Sequence, residues 1–70
     1  MRIIYSDHAI KRMKQRGITE LEIEHILSYP RYIKKARDGT KEAFGKVNNK
    51  YIRIFFVEEE NLIRIVTLII

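Results

Sequence analysis

The apolar pattern of this chain changes period once, at Pro30, and does not change back. Before Pro30 apolar residues recur at the three-to-four spacing of helices; after it they alternate with polar residues in runs broken by turn formers. Seventy residues with one such switch have room for one core. They are thereby confined to a single α+β domain, over residues 1–70, with the helices early and a strand meander late. The expected order is β-α-α-β-β-β-β, two N-terminal helices packed on one face of an antiparallel sheet.

The helical part is punctuated by its own capping residues. Arg2–Tyr5 is a short β-rich run, after which Ser6 or Asp7 can cap a first helix and Gly17 can end it in the left-handed conformation. Thr19 and Glu22 form the T-x-x-E capping box of a second helix, with Ile18 and Ile23 placed as its hydrophobic staple. On the first helix Ala9, Ile10, Met13 and Gly17 share a face. His8, Lys11, Arg12, Gln15 and Arg16 fill the remaining circumference. On the second, Ile23, Ile26 and Leu27 share a face and Leu21 points away.

Asp38-Gly39 and Asn48-Asn49 tolerate the positive φ of two-residue hairpin turns, and a third turn falls around Glu59-Glu60. These turns predict strands Tyr32–Arg37, Thr40–Val47, Lys50–Val57 and Leu62–Ile69. Closing each hairpin sorts side chains into two faces. Ala36, Ala43, Gly45, Ile52, Ile54, Phe56, Ile63, Ile65 and Ile69 make a face suited to receive the helices. Lys35, Arg37, Glu42, Phe44, Lys46, Tyr51, Arg53, Phe55, Arg64 and Val66 make the other, which nothing in the chain is left to cover. The apolar run Leu62–Ile70 is expected inside the sheet, because an exposed edge of that composition invites aggregation.

Composition narrows the partners. The formal charge is +5, which favours a polyanion such as nucleic acid or an acidic protein. Cysteine is absent, which rules out a disulfide framework and thiolate metal sites and suits a reducing cytoplasm. No secretory signal and no apolar run of membrane-spanning length occurs, so neither export nor a membrane is expected. No nucleophile elbow, glycine-rich phosphate loop or paired-carboxylate signature is present, and no His/Asp/Glu spacing matches a metal site. No cofactor is expected. Phosphates pair with Lys and Arg while unpaired bases stack on Tyr and Phe, so the mixed face is suited to single-stranded RNA.

The order of elements, the basic first helix and the arginines on neighbouring strands resemble the RelE/ParE-like toxin superfamily, small proteins of toxin–antitoxin pairs. His8-Ala9, Arg12-Met13 and Arg16-Gly17-Ile18 look like the opening signature of an uncharacterised family of small domains allied to it. The resemblance implies a metal-independent endoribonuclease in which an RNA 2′-hydroxyl attacks the phosphorus. By strand position Arg53 and Arg64 would bind the phosphate, with Lys35, Arg37 and Lys46 in support. His8 or a tyrosine would move protons. RNA or the ribosome would be the target and a cognate antitoxin the protein partner.

Each candidate has a plainer role. His8 can cap or pack locally, and His25 has no partner in sequence. Lys11, Arg12 and Arg16 can be the solvated side of an amphipathic helix, although acidic counter-charges are missing from Ile10 to Ile18. Arg53 and Arg64 can pair across strands with Glu42 or Glu58. Tyr51 and Phe55 can belong to an interface if a second copy covers that face as a homodimer. Two functions therefore stand open: a toxin-like RNA-interacting protein acting through Arg53, Arg64 and His8, with Lys11, Arg12, Arg16, Lys35, Arg37, Lys46, Tyr51 and Phe55 binding RNA, or a non-enzymatic protein-interaction module of the same fold.

Overall fold

The computed structural model describes residues 2–70. Its elements are β1 (Arg2–Tyr5), α1 (Asp7–Arg16), α2 (Glu20–Ser28), β2 (Tyr32–Lys35), β3 (Lys41–Val47), β4 (Lys50–Glu59) and β5 (Leu62–Ile69). One five-stranded sheet has the order β1-β5-β4-β3-β2. β2 to β5 pair antiparallel in sequence. β1 lies parallel to β5, so the sheet is mixed. β5 therefore sits between β1 and β4, where its apolar run is covered on both sides over much of its length.

Both helices begin where their sequences say. Ser6 Oγ accepts from the Ala9 N–H at 3.0 Å and donates to the Val66 carbonyl at 2.7 Å, so the cap of α1 also ties it to β5. Gly17 closes α1 at φ 66°, a conformation open to glycine without a Cβ penalty. Thr19 and Glu22 complete the reciprocal capping box of α2.

The helices cover one face of the sheet, α1 against β5 and α2 against β3. Ala9 and Met13 of α1 and Ile23 and Ile26 of α2 meet Ala43, Ile52, Ile54, Phe56, Ile65 and Leu68 in one core, which Ile18 joins from the interhelical link. Leu21 is 77% exposed, as its position on the helix requires. Gly45 sets how closely α2 can approach: a Cβ there would lie 2.9 Å from Ile26 Cγ2.

Three turns decide the register, and two differ from the sequence expectation. Asn48 and Asn49 have φ 49° and 65° and make the expected two-residue hairpin, with Val47 opposite Lys50. The β2–β3 turn spans Ala36–Thr40, closed by the Ala36 N–H on the Thr40 carbonyl at 2.7 Å and the Thr40 N–H on the Arg37 carbonyl at 3.0 Å. That extra residue slips β2 by one. Lys35 faces Lys41 on the helix side, Lys34 faces Glu42 on the open side, and Ala36 and Arg37 leave the strand for the turn.

The β4–β5 turn centres on Glu60-Asn61, with Asn61 at φ 65°, so β4 runs on to Glu59 and Arg64 stands opposite Val57. Between Ile65 and Thr67 the pairing skips Val66, a bulge that reverses the two faces of β5 beyond it. Leu68 is therefore the buried residue of the last turn of strand, and Ile69 faces outward opposite Arg53.

Two outcomes test this core. Replacing the fully buried Ile65 by Ala should cost about 2–5 kcal/mol, enough to unfold a domain of this size, as read by thermal melting. Hydrogen bonds from Asn48 and the Thr19 backbone, with Lys50 beside them, hold the Glu22 carboxyl below its ordinary 4.5. A folded value below the unfolded one gives stability that is present above pH 4.5 and lost as pH falls through the lower folded value. Urea denaturation across that window should show wild type converging on Glu22→Gln in acid.

Candidate nucleic-acid interface

Alternation along β3 and β4 turns Phe44, Lys46, Tyr51, Arg53 and Phe55 away from the helices, and the slipped β2 adds Tyr32 and Lys34 to the same surface. Register places Tyr32 opposite Phe44, and Phe44 opposite Arg53 with Tyr51 one step along the face. The three rings form an offset-stacked row. Tyr32 and Phe44 lie 5.2 Å apart between centroids at 19°, and Phe44 and Tyr51 lie 5.9 Å apart at 11°. The end rings keep free surface, Tyr32 being 39% and Tyr51 47% exposed.

Cations stand at both ends of this row. The Arg31 guanidinium is 5.3 Å and Lys46 Nζ 5.2 Å from the Tyr51 centroid, and Lys34 Nζ is 5.4 Å from that of Tyr32. Arg53 is exposed and makes no ion pair among the described residues. The face thus offers ring surface with positive charge around it.

One carboxylate is built into this cationic surface. Glu42 is only 5% exposed and accepts from the Tyr32 hydroxyl at 2.7 Å, a bond that, with burial and the Glu42 charge, raises the phenol above its usual 10. The bond fixes the tilt of the Tyr32 ring and so the end of the row.

The catalytic candidates do not converge. Arg53 and Arg64 share the open face, but Arg64 stands opposite Val57, four residues along β4 from Arg53, which separates them by roughly 13 Å of strand. They are not diagonal neighbours beside Phe55, because the hairpin turns one residue later than the sequence suggests, which shifts every cross-strand partner by two. Arg64 also gives two hydrogen bonds to the Glu59 carboxylate, at 3.1 and 3.3 Å. His8 is exposed on the first turn of α1, in the helix layer.

The basic residues of α1 divide similarly. Arg12 Nε donates to the Leu68 carbonyl at 3.3 Å and so holds α1 along β5. Lys11 and Arg16 are exposed on the helix layer, away from the ring row. Lys35 lies on the helix side of β2, whereas Arg37, carried by the longer turn, stands beside Phe55 near the open face. Sequence reasoning singled out Tyr51, Phe55, Lys46, Arg53 and Arg37 and missed Tyr32, Arg31 and Lys34. The one-residue slip of β2 hid Lys34, and the ring row is visible only once Tyr32 is paired with Phe44.

A family model described as "Domain of unknown function (DUF4258)" matches residues 5–70. The chain belongs to this family. The match takes in both helices and β2 to β5, and hence every residue of the ring row and its cations. No curated protein and no solved structure matches the chain. No helix among the described residues is long and apolar enough to cross a membrane.

Two phenols give opposite expectations in one assay. Tyr32→Phe leaves the buried Glu42 without its donor and should lower the melting temperature. Tyr5 carries a buried hydroxyl with no hydrogen-bond partner among the described residues, so Tyr5→Phe should leave the melting temperature unchanged or raise it.

Proposed function

We propose that the protein binds single-stranded RNA across the open face of its sheet. The observation that carries this reading is the row Tyr32–Phe44–Tyr51 with Arg31, Lys34 and Lys46 over its end rings. A single strand presents a regular series of charged phosphates and flat apolar bases, and this face pairs positive charge with ring surface at each end. The net charge of +5 draws any polyanion toward the molecule, and the rings select one whose bases are unpaired.

The element order and the cationic strands also support a place beside the RelE/ParE-like toxins. RNA or the ribosome is then the target, a cognate antitoxin the regulator and the cytoplasm the site of action. The proposal is one of binding. Cutting RNA asks for a phosphate clamp and an acid–base group within hydrogen-bond reach of one phosphorus, and Arg53, Arg64 and His8 stand at three separate places. The second reading, a protein-interaction module, is favoured by the edge strand β2, where Ile33 is 48% exposed beside unpaired backbone.

A salt titration separates the two. With a fluorescent single-stranded RNA, Arg53→Ala should fold normally, bind more weakly and lower the logarithmic salt slope by about 0.7. Tyr51→Leu should weaken binding while leaving the slope near that of wild type. Unchanged affinity and slope in both variants would leave the protein-interaction reading standing.

A further inference from the structure

Beyond the ring row, the open face dips into a concavity of about 440 Å³ between the β2–β3 turn and the bulge of β5. The longer β2–β3 turn and the β5 bulge create it. The longer turn brings Arg37, Asp38 and Thr40 to one side, and the skipped residue Val66 with Thr67 forms the other. Between them the half-buried ring of Phe55 is the floor, opposite Thr67 in the pairing.

We propose that this concavity receives one unpaired base of the bound RNA strand, stacked on Phe55; this inference rests on the open-face reading above. The chemistry of the walls matches a base. Phe55 and Val66 offer apolar surface to its flat face, the Thr40 and Thr67 hydroxyls can donate or accept at its edge, and Asp38 accepts from ring or exocyclic N–H groups. Arg37 is exposed on the rim, makes no ion pair among the described residues and can hold the attached phosphate. The site is continuous with the row. Phe55 follows Tyr51 and Arg53 at alternate positions of β4, so it lies roughly 13 Å along the strand from Tyr51, with Arg53 between them. A strand stacked at Tyr51 and neutralised at Arg53 reaches the concavity next.

The test uses a short single-stranded RNA containing 5-iodouridine, irradiated on the protein, with the linked residues mapped by mass spectrometry and affinity measured by anisotropy. Val66→Trp fills the concavity from a position that is 37% exposed. Phe55→Leu removes the ring while keeping an apolar floor, and serves if the tryptophan variant does not fold. Wild type should crosslink at Phe55. Each folded variant should lose that crosslink, keep those at Tyr51 or Tyr32, and bind about tenfold more weakly. Crosslinks confined to Tyr32, Phe44 and Tyr51, with wild-type affinity in the variants, would overturn the base site and leave the open-face reading intact. Loss of the Phe55 crosslink on adding free uridine monophosphate, at the same concentration of nucleotides, would overturn it in favour of a free-nucleotide pocket. Absence of any RNA binding by wild type would remove the open-face reading, and the base site with it.

Discussion

The carboxylate of Glu22 holds three parts of the chain in place at once. It accepts from the Thr19 backbone at 2.9 Å, from Asn48 Nδ2 at 2.8 Å and from Lys50 Nζ at 3.3 Å, and Lys50 donates in turn to the Gly17 carbonyl at 2.8 Å. The end of α1, the start of α2 and the β3–β4 hairpin are thus pinned around one nearly buried charge. Its cost of burial is offset because every partner is a donor and the N-terminus of α2 adds its dipole. Ile23, on the next position of the helix, is then directed into the core. A small domain gains from such a joint, since it fixes helix against sheet where apolar area is scarce.

The fold was legible because its punctuation is local. Gly17, the Thr19/Glu22 box and Pro30 mark helix ends by the chemistry of single residues, and Asn48-Asn49 marks a turn in the same way. Register was legible only where a turn took its shortest form. Asp38-Gly39 supplies positive φ in a five-residue connection as readily as in a two-residue one, so the sequence does not distinguish Lys34 from Lys35 as the outward residue. The bulge at Val66 has no local marker at all. The Ser6 hydroxyl, 60 residues away, donates to the Val66 carbonyl and holds it. Long-range pairing of that kind is why Ile69 reads as core and Leu68 proves to be core.

The two layers of the molecule use similar side chains for different ends. On the helix side, Arg12 and Lys50 donate to carbonyls and a carboxylate and so serve the fold. On the open side, Arg31, Lys34 and Lys46 lie over rings rather than against acids. An ammonium or guanidinium over a ring keeps most of its hydration and its charge available to a further anion, whereas one bound to a carboxylate is largely neutralised. Arg64, held by Glu59, is the exception on that side, while the buried Glu42 takes its proton donor from Tyr32 rather than from a cation.

The parallel pairing of β1 with β5 joins the beginning of the chain to its last strand. β5 also lies inside the sheet, so neither the platform for α1 nor the partner of β1 exists until that strand is made. Closing β1 on β5 therefore rests on contacts distant in sequence, the kind whose loop-closure entropy is largest.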